Sequence, residues 1–202
     1  MPAVFLVSDT HFGHAGVCRF TRADGVTKLR PWDDPQEMDE AMIKAWNERV
    51  KHTDKVYHCG DAVINRRALS TLSRLNGDKV LIRGNHDIFR DDEYREYFRE
   101  LRAYHVMNGL ILSHIPVHPE SLGRFGCNIH GHLHANRVKK PRGVDARTGE
   151  ILYSDEIDPR YYNVSVEQLP DFAPILFEDV LKNIVAQGGE VGFRSGNAAT
   201  AD

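Results

Sequence analysis

Val80–Leu81–Ile82–Arg83–Gly84–Asn85–His86–Asp87 decides how this chain is read: three apolar residues stop at a charge, and a glycine then introduces an amide, an imidazole and a carboxylate. A short apolar run closed by turn residues reads as a buried strand entering a polar loop. The same grammar recurs on both sides. Val4–Val7 runs into Ser8, Asp9 and His11, Val56–Cys59 into Gly60 and Asp61, Leu110–Leu112 into His114, and Asn128–Ile129 into Gly131, His132 and His134. Five apolar runs thus end, on their C-terminal side, in groups able to bind metal, and α/β sheets hold ligands beyond the carboxyl ends of their strands.

The intervening segments carry helical signals. Asp33 and Asp34 precede Pro35, a cap followed by a first-turn proline, and Met38, Ala41, Met42, Ala45 and Trp46 then recur at helical spacing to about Val50. Leu69, Leu72 and Leu75, closed by Gly77, mark a second helix; Tyr94, Tyr97, Phe98 and Leu101 predict a third over Asp91–Leu101; Phe177–Ala186 reads as a last one. Strand-like runs at Ala103–Met107, Leu110–Leu112, Asn128–Ile129 and Tyr161–Val166 fill the second half, with Asn108–Gly109 a hairpin turn. Alternating strands and helices followed by a run of strands predict an α/β (α+β) sandwich, two stacked mixed sheets flanked by helices. The chain of 202 residues suits one domain over 1–187, and the Gly-, Ala-, Ser- and Asn-rich end from 188 to 202 reads as a flexible tail.

Composition limits the partners. A net charge of −3 gives no overall attraction to a polyanion, and no apolar run reaches the roughly 18 residues that cross a bilayer. Cys18, Cys59 and Cys127 are scattered, which suggests neither a disulfide framework nor a cysteine zinc site. A cytoplasmic protein is expected, of undetermined oligomeric state. Five of its eleven histidines fall within residues 114–134.

Glycine precedes the candidate ligand at Gly60, Gly84 and Gly131, where it allows a sharp turn, and the spacing of Asp9 with His11 and of His132 with His134 points each pair to one side of extended backbone. Carboxylate, imidazole and amide oxygen without thiolate suit manganese, iron, zinc, nickel or cobalt. Two carboxylates, Asp9 and Asp61, against two divalent ions leave a net positive centre, which favours an anionic phosphate ester.

Asp9–Thr10–His11, Gly60–Asp61, Gly84–Asn85–His86–Asp87, His114 and Gly131–His132–Leu133–His134, in that order, resemble the motif series of the calcineurin-like metallophosphoesterase superfamily. Ser8–His14, Arg30–Pro31–Trp32, Trp46–Asn47 and Leu81–Asp87 are further similar to its small bacterial and phage members. The resemblance implies the metallophosphoesterase fold and two divalent ions, manganese foremost. By that resemblance Asp9, His11 and His134 would bind the first, Asn85, His114 and His132 the second, and Asp61 would bridge them. It further implies a metal-bridging hydroxide as nucleophile, His86 as general acid, and Asp87 orienting the His86 imidazole. Where many relatives have glycine after the histidine matching His114, this chain has Ile115–Pro116, so the loop shape there is expected to differ.

The substrate expected from this reading is a phosphate ester, more often a diester, whether a small molecule, a nucleotide or a nucleic acid. A nuclease or a phosphomonoesterase on the same site is the alternative, favoured by the basic stretch Arg137, Lys139, Lys140, Arg142 and Arg147. A non-catalytic protein-binding scaffold is expected to have lost ligands that this chain keeps. His14 is weighed as a residue of the site rim and as a solvated loop histidine, and Arg30 and Trp32 as pocket border and as packing. His130 reads as packed or as a support to the ligands, and His52, His58, His105 and His118 as structural.

Overall fold

The computed structural model describes residues 2–194. The apolar runs become strands. In chain order come β1 (Val4–Val7), α1 (Pro35–Arg49), β2 (Lys55–His58), β3 (Asp78–Ile82), α2 (Asp91–Arg95), β4 (Glu100–Arg102), β5 (His105–Met107), β6 (Leu110–Leu112), α3 (Pro119–Leu122), β7 (Asn128–His130), β8 (Lys139–Val144), β9 (Ile151–Ile157), β10 (Tyr161–Asn163), β11 (Ile175–Leu176) and α4 (Phe177–Ala186).

One sheet has the order β11-β1-β2-β3-β4, parallel except for β11; the other has the order β10-β7-β6-β5, parallel except for β5. The period-two alternation of each strand sends its side chains to two layers. Leu6, Tyr57, Val80 and Ile82 face inward and pack with Leu110, Leu112 and Ile129 of the second sheet and with Val180 and Ile184 of α4. Phe5, Val7, Val56 and Leu81 face outward and pack with Met38, Met42 and Trp46 of α1. Burial of each large apolar side chain contributes about 1.5–3 kcal/mol. Both faces of the first sheet are covered, which is why its strands read as continuous apolar runs.

Helix α1 starts as expected, with Asp34 accepting from the N–H of Gln36 and proline at the first turn. Asn108 (φ 50°) and Gly109 (φ 71°) turn the β5–β6 hairpin with both central residues left-handed, as a primed turn demands.

Two expectations fail for physical reasons. Arg66–Arg74 is 3-10 rather than α-helical, and the three-residue spacing of Leu69, Leu72 and Leu75 matches the three residues per turn of that helix. The helix expected over Asp91–Leu101 stops at Arg95, because Glu100–Arg102 pairs in parallel with Val80–Ile82 as an edge strand, while Tyr94 and Phe98 stay buried as the spacing required.

The β8–β9 hairpin is new: both strands are largely exposed, so they carry no one-sided apolar pattern. Of the tail expected from Gly188, the N–H of Arg194 donates to the Arg124 carbonyl and Gly192 accepts from Gly126; residues 195–202 lie outside the described residues. No helix of the described residues is long and apolar enough to cross a membrane.

Candidate metal centre

At the carboxyl ends of β1 and β2 the two loops continue to pair after the strands end. Asp9, His11 and Phe12 donate their N–H groups to the carbonyls of Gly60, Asp61 and Ala62. Across the gap between sheets, Ser8 donates to the Val164 carbonyl and accepts from Val166 N–H, so the chain after β10 closes the seam beneath the site.

All seven candidate ligands meet at this rim. His11 Nε2 lies 3.9 Å from Asp9 Oδ1 and 3.7 Å from Asp61 Oδ2; His114 Nε2 lies 3.3 Å from that same Asp61 Oδ2. Asn85 Oδ1 then sits 2.9 Å from His114 Nε2 and 3.0 Å from His132 Nδ1. Asp9, His11 and His134 form one group with ligand atoms within 4.8 Å of one another, and Asp9, Asp61 and His114 a second.

The route to convergence differs from the expected one. Asp9 (φ 58°), His11 (φ 49°), Asp61 (φ 55°), His132 (φ 69°) and His134 (φ 50°) are left-handed rather than extended. Each such residue costs on the order of 1 kcal/mol or more, and strain of this kind gathers at functional sites. Of the three glycines, Gly60 alone has a positive φ, +99°. Gly84 and Gly131 are needed for close approach: a Cβ on Gly84 would overlap Asp61 Oδ1, and one on Gly131 would overlap Ser8 Oγ and Asp9 Oδ2.

The donor set fits cations. Cys59 O accepts from His114 Nδ1 at 2.9 Å, so Nε2 faces the acceptors Asn85 Oδ1 and Asp61 Oδ2, to which only a proton or a cation can join it. Asp9 Oδ2 is taken by Ser165 Oγ (2.8 Å) and the N–H of His132 (2.9 Å), whereas Asp9 Oδ1 and both His11 nitrogens are buried without a hydrogen-bond partner. Burial pushes the Asp9 carboxyl up and the His11 imidazole well down. Burial also pushes Asp61 up, but the His114 bond and charge and the N–H of His86 outweigh it and hold the carboxyl at about 2. Asp61 is therefore a carboxylate aimed between two imidazoles.

The Asp87 carboxylate is turned to backbone N–H groups of the neighbouring loops. It is buried, and its oxygens accept from the N–H groups of Asp61 (2.8 Å), Gly84 (2.8 Å) and Ala62 (2.9 Å). It clamps the loops after β2 and β3 together, and burial raises its carboxyl while these N–H bonds pull it back down. The His86 imidazole is exposed, its ring centroid 5.7 Å from that of His11.

His14 stands on the same side, half-buried, 5.6 Å ring to ring from His11. Arg30 is buried and does not border a pocket: it donates to the carbonyls of Asp9 and Thr10 from beneath the first loop. Trp32 packs edge-on against Phe172. His58 is buried, bonded through Nε2 to Thr10 Oγ1, and His130 is buried with Nδ1 on the Gly131 carbonyl. His105 stacks on Tyr57, and His118 caps α3. Ile115 is exposed and Ser113 Oγ binds its carbonyl, while the His114 ring keeps its place.

Sequence reasoning missed Glu167. Buried on the turn after β10, its Oε1 accepts from His134 Nδ1 (3.1 Å) and from Arg30 Nε (2.8 Å). That bond leaves His134 Nε2 free to face a cation, the kind of arrangement that fixes ring tautomer and direction around metals. Ser165, on Asp9 Oδ2, belongs to the same turn. The signal in the sequence was weak: Tyr161–Val166 reads as a strand before Glu167, but Asn163 and Ser165 interrupt its apolar character.

The family model described as calcineurin-like phosphoesterase matches residues 3–186. An uncharacterized protein of Methanocaldococcus jannaschii is 33% identical over 190 residues, 91% of this chain and 92% of that one. A protein of unknown function from Aquifex aeolicus shares the fold, with a TM-score of 0.60 at 24% identity over 91% of this chain and 100% of the other. An archaeal phosphodiesterase aligns with a TM-score of 0.40 and 16% identity over 75% of this chain and 98% of its own, too distant to carry an argument.

Proposed function

Because the chain belongs to the calcineurin-like phosphoesterases, and so to the metal-dependent hydrolases of phosphate esters, we propose that it is a binuclear enzyme acting on phosphodiesters. Asp9, His11 and His134 would hold one divalent ion and Asn85, His114 and His132 the other, with the Asp61 carboxylate between the two groups. The observation that carries this is the position of Asp61 Oδ2, 3.7 Å from His11 Nε2 and 3.3 Å from His114 Nε2, between two groups of inward-facing acceptors. Borderline ions such as manganese suit the nitrogen and oxygen donors.

Such ions, when bound, lower the pKa of water toward about 7 and neutralise phosphate charge. The rest falls to the chain. Glu167 and the Cys59 carbonyl fix the His134 and His114 rings, Asp87 and Ser165 fix the loops that carry Asp61 and Asp9, and Arg30 braces the first loop. His86, exposed at the rim beside His11, gives a proton to the leaving alkoxide.

Support for a diester comes from the room beside the ligands, where a cavity of about 590 Å³ adjoins His132 and His134 and can take a second substituent on phosphorus. A nuclease is less favoured: Lys139 and Lys140 of the basic stretch are paired with Asp155 and Glu156 across the β8–β9 hairpin. The buried free thiols of Cys18, Cys59 and Cys127 suit a cytoplasmic setting.

The test is a panel of manganese, nickel, zinc and iron added to metal-free protein, with bis(p-nitrophenyl) phosphate and p-nitrophenyl phosphate as substrates. Diester turnover well above monoester turnover is expected, with two ions per chain by mass spectrometry; monoester preference overturns the diester reading. His86→Ala should keep both ions and lose about 10²–10⁴-fold in turnover of poor leaving groups.

A further inference from the structure

The cavity beside His132 and His134 has walls that the hydrolytic chemistry does not explain. One wall is the loop Leu133–Asn136 that leaves the metal centre; the other is a small flap, Phe20–Leu29, with Phe20, Arg22 and Leu29 lining the space. The flap is built rather than loose. Arg22 N–H donates to the Thr27 carbonyl, Leu29 N–H to that of Phe20, and Thr21 bridges Lys28. Asp24 closes the turn by accepting from the N–H groups of Val26 (2.9 Å) and Thr27 (2.8 Å) and from Thr27 Oγ1.

At the flap root the Phe20 ring, 48% exposed, stands edge-on to His14 at 6.2 Å, and His14 stands 5.6 Å from His11. An aromatic face is thus held open to solvent two rings away from the candidate metal centre. The volume, about 590 Å³, lies within the 300–1,000 Å³ of small-molecule sites and far exceeds what a phosphoryl group needs. Leu29 and Leu133 add apolar surface, while the exposed residues Arg22 and Asn136 add donors to the lining.

We propose that this cavity takes a nucleobase of a nucleoside phosphodiester, stacked on Phe20 and Leu133, with Arg22 and Asn136 at its polar edge, so that the phosphorus lies over the ligands. The assignment rests on the phosphodiesterase reading and names the second substituent of that substrate. A planar base suits the site because stacking on an aromatic ring is strong and tolerant of base identity, while an aliphatic ester would leave the Phe20 face and the donors unused.

The test compares thymidine 5′-(p-nitrophenyl phosphate) with methyl p-nitrophenyl phosphate on the manganese-loaded protein, in wild type, Phe20→Ala and Phe20→Trp. Wild type should show the lower KM for the nucleoside diester. Phe20→Ala should shrink that preference about tenfold or more, the usual span for one lost base stack, and Phe20→Trp should retain it. A second arm measures binding of thymidine 5′-monophosphate and of ribose 5-phosphate by calorimetry, independent of turnover. Tighter binding of the nucleotide, lost in Phe20→Ala, supports the base site; equal binding of the two, or a preference that survives Phe20→Ala, overturns it. Absence of turnover with either diester would instead sink the phosphodiesterase reading, and the calorimetric arm still decides the cavity.

Discussion

Replacing Asp87 separates two ways in which a carboxylate can serve this site. In the structure its two oxygens accept three backbone N–H groups, those of Asp61 and Ala62, which are buried, and that of Gly84, which is partly buried, and the carboxylate is itself buried. Asp87→Ala strands all three donors. Each buried donor left unpaired costs about 1–3 kcal/mol, and because the three share one loop junction the costs overlap, so a loss of about 3–6 kcal/mol is expected. Against a total stability of roughly 5–15 kcal/mol, that is a large fraction. Asp87→Asn keeps one acceptor oxygen; placed at the Oδ2 position it still serves Asp61 and Gly84, while its NH2 opposes the Ala62 N–H, for a loss of about 1–3 kcal/mol.

Because Asp61 and Asn85 sit on the two loops that Asp87 joins, metal affinity should fall in the same order, Asn variant before Ala. The assay is urea denaturation at pH 7 with the slope monitored, beside metal content after dialysis. If Asp87→Ala keeps the wild-type midpoint and metal content and loses only turnover, the clamp is wrong and Asp87 acts through His86 after all.

Glu167→Gln removes the charge behind His134 and should weaken metal binding about 10–100-fold, read by competition with a chromophoric chelator; unchanged affinity would contradict the role given to the 3.1 Å bond. His58 is neutral in the fold, since burial pushes its imidazole from 6.5 to about 3, whereas the unfolded chain binds the proton below 6.5. Its contribution is therefore whole above pH 6.5 and lost as pH falls toward 3, by up to about 1.4 kcal/mol per unit, and His58→Asn should flatten the fall in urea midpoint between pH 7 and 5. Manganese at a hundredfold excess over its dissociation constant should add about 2.7 kcal/mol to stability, and Asp61→Asn should abolish most of that gain in a thermal melt.

The sequence by itself determined where polar chemistry begins. Apolar runs closed by Asp, Asn and His announce both buried strands and the rim beyond them, because burial on both faces selects continuous hydrophobicity and the loops that follow hold the residues that need not be apolar. That logic singled out seven candidate ligands, of which the structure gathers Asp9, His11, Asp61, His114 and His134 into two close groups, and it found the helix from Pro35 to Arg49. It did not find β4 or the β8–β9 hairpin, whose pairing energy comes from distant or solvent-exposed partners and leaves no apolar period.

Only the tertiary structure decided how the ligands converge. Left-handed backbone at Asp9, His11, Asp61, His132 and His134 is imposed by long-range hydrogen bonds and by glycines pressed against neighbouring loops, and no residue type encodes it alone. The same holds for Glu167, Arg30 and Asp87. Each is an ordinary charged residue in the sequence, and becomes a support of the site because folding removes water from around it and leaves specific backbone and imidazole donors as its partners.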